Sequence, residues 1–185
     1  MPIAFDASTS GGFAETTSLT YAHTCTGSDR FLVVGVQGGV TDDLVSATYN
    51  GVTMTMIVKI LGTRITAIYA LMNPASGANN VVVTITGVFV LSSASSYTGV
   101  SQTAQPEASN SASATSGTSA VSVTTVTDNA WIAGFCSIET AQTASAGTTL
   151  RVANNERRML DTGGAITPPA ATSIGTTFTS ALWAI

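Results

Sequence analysis

With one lysine, one histidine and charged residues at only 9% of its 185 positions, this chain has little ionisable chemistry to offer. An average globular chain is about 25% charged. Ten acidic side chains against six basic ones give a net charge of −4 and a pI near 4.6. No basic field exists for a phosphate backbone, and a nucleic-acid partner is excluded. Long apolar runs are also missing. Phe31–Val36 and Val81–Leu91 are strand-length or broken by Thr and Gly, short of the roughly 18 residues a membrane helix needs, so no transmembrane segment and no membrane partner are expected. The opening Met1-Pro2-Ile3-Ala4-Phe5-Asp6 has neither a basic n-region nor an apolar h-region, and no signal peptide is expected. Without export, the two cysteines, Cys25 and Cys136, are expected to remain reduced thiols.

Hydroxyl residues and glycine take the place of the missing charge: 31 Thr, 21 Ser and 17 Gly. This mixture suits strands and turns and suits helices poorly, so an all-helical fold is excluded. Leu19, Tyr21, His23 and Cys25 alternate with Ser18, Thr20, Ala22 and Thr24, the period-2 signature of a strand. Phe31-Leu32-Val33-Val34-Gly35-Val36 is apolar on both sides, as a central strand covered on both faces would be. Leu44–Tyr49 meets Asn50-Gly51 before Val52, Met54, Met56 and Val58 alternate with Thr53, Thr55 and Ile57; Asn-Gly between alternating runs predicts a hairpin, because both central turn residues need positive φ. Arg64–Met72 stops at Asn73-Pro74, and two runs, Val81–Thr86 and Val88–Leu91, flank Gly87. That spacing predicts roughly six strands by Tyr97 and a single sandwich domain over residues 1–185. From 101 to 119 the apolar pattern vanishes into a low-complexity loop or arm, of a length usually functional or disordered. Val121 and Val123 are expected to pair across Asp128-Asn129 with Trp131–Cys136, and Ile174–Ile185 to close the chain as a strand.

Candidate chemistry is sparse. His23 is the only imidazole, so no Ser-His-Asp or Cys-His arrangement exists without it. Its strand face predicts a part-buried ring satisfied by backbone or hydroxyl groups. Two distant thiols and one histidine lack any recognised zinc spacing. Asp42-Asp43 and Asp128-Asn129 read as turns, since neither follows a calcium-loop pattern. Gly38-Gly39 and Gly163-Gly164 belong to no phosphate-binding motif. Asn154-Asn155-Glu156-Arg157-Arg158 is the one charge cluster, with its arginines read as a solvated corner. Tyr49, Tyr69, Tyr97, Trp131 and Trp183 are rings able to stack on sugars, but each lies within an apolar alternation that predicts core packing. No catalytic residue, metal or cofactor is expected.

Four stretches carry a resemblance: Ser18 to Val34 (SLTYAHTCTGSDRFLVV), Ala47 to Val52 (ATYNGV), Tyr69 to Val83 (YALMNPASGANNVVV) and Ser96 to Thr103 (SYTGVSQT). Over roughly residues 3 to 135 the chain resembles jelly-roll domains of tailed-phage virion proteins and bacterial surface proteins. The match is one of strands and turns, with no active-site residues to carry over. It implies an all-β, antiparallel jelly-roll-like sandwich that is not an enzyme: a capsid decoration or head-surface protein, made in the host cytoplasm, located on the virion and stabilising the shell. The implied partners are further copies of itself, as a homo-oligomer such as a trimer, and a major capsid or other virion protein. Pro2, Ile3, Phe5, Gln105, Pro106, Arg157 and Arg158 are the expected contact residues, since extended segments can add to a neighbour's sheet edge. The alternative is a lectin-like module whose partner is a glycan, for receptor binding or surface adhesion.

Overall fold

In the computed structural model, which describes residues 1–39, 43–61, 64–113, 117–137, 142–154 and 157–178, the chain is all-β and its strands pair antiparallel. Among the described residues no helix is long and apolar enough to cross a membrane. The strands are β1 (Ala4–Ala14), β2 (Ser18–Cys25), β3 (Phe31–Gln37), β4 (Leu44–Tyr49), β5 (Val52–Thr53), β6 (Thr55–Leu61), β7 (Ile65–Met72), β8 (Gly77–Ile85) and β9 (Val90–Thr98). They continue as β10 (Gly117–Thr124), β11 (Ala133–Ser137), β12 (Gln142–Ala144), β13 (Thr149–Asn154), β14 (Arg157–Asp161) and β15 (Ala171–Phe178).

The first nine strands grow outward from one turn. Asn50 and Gly51, at φ 50° and 76°, make the tight reversal expected of Asn-Gly, and β4 pairs with β5 across it. Around this hairpin β3 pairs with β7, β2 with β8 and β1 with β9. The nested ribbon divides into two sheets, β1-β9-β3-β7-β6 (sheet A) and β2-β8-β4-β5 (sheet B). Met54, 4% exposed, is the pivot where the chain leaves sheet B for sheet A. The second half forms two three-stranded sheets, β11-β14-β13 (sheet C) and β10-β15-β12 (sheet D).

Side-chain alternation sorts these sheets into four layers. Leu32, Val34 and Val36 of β3 face Leu19, Tyr49, Val81 and Val83 of sheet B. Phe31 and Val33, one step out of phase, face Phe135, Val152 and Met159 of sheet C. Cys136 and Leu160, on the other side of sheet C, meet Ile174 of sheet D. The order is therefore B, A, C, D. The centre of sheet A has no wet face: every residue of β3 is buried, as its two-sided apolar run predicts, and so are Val90 to Tyr97 of β9. Each large aliphatic side chain enclosed this way contributes about 1.5–3 kcal/mol.

Three expectations need correction. Val121 and Val123 do not pair with Trp131–Cys136: β10 pairs with β15, whereas β11 pairs with β14. The Asp128-Asn129 turn exists, with Asn129 at φ 62°, but it passes the chain from one layer to the next. Gly117–Ser119 are not loop, because they begin β10 opposite Thr176, Thr177 and Phe178. The closing strand starts earlier, at Ala171, and its expected continuation through 179–185 lies outside the described residues.

Gly35 shows what the A–C contact demands. A methyl group there would land inside the Phe135 side chain, against its ring and Cβ, and Phe135 is fully buried. Gly35→Ala is expected to lower stability by about 1–3 kcal/mol in urea titration, with Phe135→Leu in the same chain recovering part of the loss. An unchanged midpoint would show that the sheets are not seated this closely.

Candidate functional site

The lone imidazole is the first place to look for chemistry. The β2 alternation turns Leu19, His23 and Cys25 inward, leaving His23 1% exposed. Its Nδ1 lies 2.9 Å from Thr9 Oγ1 and its Nε2 3.1 Å from Ser96 Oγ. Ser96 donates its own hydroxyl proton to Asp6 Oδ2 at 2.7 Å. It must therefore accept from Nε2–H, which leaves Nδ1 to accept from Thr9; the ring is the neutral Nε2–H tautomer. A β1 register shift between Phe5 and Ala7 sets Asp6 apart from the ladder, as bulges do when they re-aim a side chain. Asp6 also accepts from the Thr26 amide at 2.8 Å and from the Thr26 hydroxyl. Burial raises the Asp6 pKa, but these hydrogen bonds outweigh it and hold the carboxyl below its ordinary value.

Serine, histidine and aspartate thus do come together, in an order that disables them. A hydrolytic triad needs the carboxylate on His Nδ1 and the serine free to attack. Here Asp6 binds the serine, Thr9 occupies Nδ1, and both Ser96 and His23 are shut away from solvent. Burial depresses the His23 pKa from 6.5 to about 4. Cys25 and Cys136 are buried and form no disulfide, and burial pushes both thiols up, Cys136 to about 11.

A second polar cluster lies on the opposite face of sheet A. Asp161, fully buried at the end of β14, accepts from Arg151 Nε at 2.7 Å, from the Tyr97 hydroxyl at 3.0 Å and from the Gly163 amide at 2.7 Å. The Arg151 guanidinium lies 4.1 Å over the Phe5 ring, which packs edge-on against Tyr97. Burial and then the Asp161 charge push the Tyr97 hydroxyl well above its ordinary pKa, so it stays a donor. This cluster bolts β13 and β14 to β1 and β9. Among the described residues no group of His, Cys, Asp or Glu is placed to hold a metal ion.

A large recess lies where sheet A separates from the ends of sheets C and D. It is a cavity of about 650 Å³ with Phe31, Val33, Ile68 and Ala70 of sheet A on one side and Val121, Trp131 and Ile174 on the other. Residues 101–110 run over it. Gln102 Nε2 donates to the Val100 and Arg30 carbonyls, Asn110 Nδ2 donates to the Ser122 carbonyl, and the Glu107 carboxylate accepts from the Val126 and Thr127 amides and the Thr127 hydroxyl. Burial raises the Glu107 pKa, but those three bonds outweigh it and hold it below its ordinary value. The low-complexity arm is tied down by its own chain.

Four of the expected contact residues meet at this cavity: Pro2, Ile3, Gln105 and Pro106 all line it. Phe5 does not; it is half-buried beneath Arg151. Arg158 is no solvated corner. It sits on the central strand of sheet C opposite Cys136 and is 5% exposed, because that strand is covered on both sides. The backbone of Arg157 lies opposite Ser137 and Asn154, while its side chain, Glu156 and Trp183 lie outside the described residues. Of the rings weighed for sugar stacking, Tyr49, Tyr69 and Tyr97 are buried and Trp131 packs edge-on against Tyr97. Arg151 and Asp161 were not anticipated as a pair. Their signal was position: each is a charge beside apolar neighbours, Leu150 and Val152 in one case and Met159-Leu160 in the other.

No protein-family model, curated protein or solved structure matches the chain.

As the pH falls, the unfolded chain protonates His23 near 6.5 and the folded chain only near 4. Stability is therefore lost across that window and not above it. The expected loss is about 3 kcal/mol between pH 7 and pH 4, read from urea midpoints, and His23→Gln should flatten it. Equal acid sensitivity in both chains would show that the ring is not held neutral. Asp161→Asn, which strands the Arg151 charge, is expected to cost about 3 kcal/mol in the same assay at pH 7; a loss within experimental error would mean that this pair does not hold sheets A and C together.

Proposed function

We propose that this chain is a non-catalytic structural protein of a tailed-phage particle, a head-surface or decoration protein that associates with copies of itself and docks on the shell. The observation that carries this reading is the chemistry of the two outermost faces. Among the described side chains, the exposed strand positions on sheet B are Ser18, Thr20, Ala22 and Thr24 of β2, Val52 and Thr53 of β5, and Ala78 and Asn80 of β8. On sheet D they are Thr118, Ala120, Ser122 and Thr124 of β10, Thr143 and Ala144 of β12, and Ala171, Ser173 and Thr177 of β15. None of these residues is charged, and none is long. Such faces give up little hydration and little side-chain entropy when covered.

Two further features support the reading. The order β1-β9-β3-β7 opposite β2-β8-β4-β5 is that of a long hairpin rolled into two nested Greek keys, which favours the jelly-roll resemblance. Among the described residues each sheet is open and ends on two edge strands, and edges recruit partner strands unless guarded by charge. The one lysine, Lys59 on edge strand β6, is already paired with Asp43 at 3.0 Å.

A glycan-binding role is favoured by a single feature, a shallow depression on sheet B lined by Thr48, Asn50, Asn79 and Asn80. Its neutral amides and hydroxyls suit sugar hydroxyls.

Particles assembled without the chain test the proposal. Added protein should co-sediment with them and raise their thermal and osmotic resistance. Lysine pairs at Thr20 and Asn80, or at Thr118 and Ser122, should change folding stability by less than about 0.5 kcal/mol, and one pair should weaken docking about tenfold or more. A protein that ignores the particle and stays monomeric overturns the proposal, and saturable binding on a glycan array, lost in Asn80→Ala, would put the second reading in its place.

A further inference from the structure

We infer that the cavity beneath the 101–110 arm is a binding site for an uncharged apolar molecule with a neutral, hydrogen-bonding end. Protein interiors hold few voids larger than a water molecule. A space of about 650 Å³ walled by Phe31, Val33, Ile68, Val121 and Trp131 is far beyond that, and it matches the 300–1,000 Å³ typical of small-molecule pockets. Apolar walls give water few partners, so filling the space with an apolar body is favourable.

The lining also decides the charge of the occupant. No Lys, Arg or His side chain lines the cavity, so among the described residues its lining offers an anionic head group only the Met1 α-ammonium, at the solvent-exposed rim and not within. The carboxylates present are Glu107, already satisfied by Val126 and Thr127, and the exposed Asp128; both repel an anion. Met1, at the rim, is 85% exposed and reaches into solvent. A buried carboxylate without a partner is strongly disfavoured. The neutral polar side chains of the lining include Ser101, Gln105, Ser109 and Asn110. They suit a hydroxyl or a carbonyl at one end of the ligand. This site is independent of the outer faces invoked for particle docking.

The test uses the whole chain, with the uncharged dye N-phenyl-1-naphthylamine as reporter and decanol and decanoate as competitors. The dye should bind saturably with one site per chain, decanol should displace it, and decanoate should be about tenfold or more weaker at pH 7. Ala70→Phe fills the cavity from sheet A and Ala108→Trp fills it from the arm; either one, with its circular dichroism unchanged, should abolish dye binding. If both variants fail to fold, the stoichiometry and the decanol-to-decanoate ratio in the wild-type chain decide the matter alone. Absence of saturable dye binding, persistence of binding in a folded filled variant, or decanoate binding as tightly as decanol would each overturn the inference. Because no particle is present in the assay, failure here leaves the docking proposal standing, and the reverse holds equally.

Discussion

The central strands of sheet A, β3 and β9, are enclosed on both faces, and that enclosure governs the rest of the molecule. A strand with one wet face can let its polar side chains point at water, but β3 and β9 cannot, so a hydroxyl, amide or charge there costs free energy unless it finds a partner within the protein. Strand β9 shows both outcomes: the buried Ser93 hydroxyl has no hydrogen-bond partner among the described residues, whereas two other residues of the strand are tied in on either side. Ser96 and Tyr97 are neighbours in sequence and point to opposite faces. Ser96 enters the chain of hydrogen bonds linking Asp6, His23 and Thr9 on the sheet B side. Tyr97 donates to Asp161, which holds Arg151, on the sheet C side. One strand thus feeds two polar clusters that join three layers, and the apolar cores on either side close around them.

The same enclosure explains the residue sizes. Ser92, Ser93, Ser95 and Ser96 are fully buried, yet they carry the smallest hydroxyl side chain, which lets both neighbouring sheets approach β9 closely. Gly35 goes further and offers no side chain where Phe135 seats. Ser92 accepts or donates to the Tyr21 hydroxyl at 2.8 Å and reaches the Gly35 carbonyl at 2.9 Å, so a buried hydroxyl here strengthens the contact between layers instead of weakening it.

Much of this was legible in the residues, though not all. The period-2 pattern of Leu19 to Cys25 and the doubly apolar run Phe31 to Val36 announced an inward-facing strand and a central one, because alternation reports directly which faces are dry. The Asn50-Gly51 turn was legible for a local steric reason. What alternation cannot report is the partner: β10 pairs with a strand some fifty positions later, a choice set by which layers must stack and not by the intervening turn. A buried serine-rich strand is equally opaque, since hydroxyl residues read as loop unless both neighbouring sheets are known; the apolar run therefore stops at Leu91 in the sequence, whereas strand β9 continues to Thr98. Arg158 and the Arg151–Asp161 pair were hidden for a related reason. Their burial depends on sheets A and D closing over the two faces of sheet C, which no local pattern around residues 151 to 161 encodes. Pro2, Ile3, Gln105 and Pro106 were picked out separately as ends and arm, and only tertiary structure brings them to one cavity.

Charge in this molecule is distributed unlike that of an ordinary globular chain, and the distribution bears on function. His23, Arg158 and Asp161 are buried and Asp6 half-buried, whereas Glu15, Asp29, Asp43 and Asp128 are exposed on the connections between strands. The broad outer faces of sheets B and D are left with short neutral side chains. An isolated protein gains solubility from charge spread over its surface, and a neutral flat face promotes association. Placing the few charges inside, where each must be compensated, and along the seams, where they do not obstruct a face, is unfavourable for a chain that works alone. It becomes consistent once both faces are covered, by further copies or by a larger surface, because short neutral side chains lose least on being covered. The polar clusters that enclose the imidazole and the neutral faces that lack charge are in this sense one arrangement: the ionisable groups hold the layers together, and the outside is left for contact.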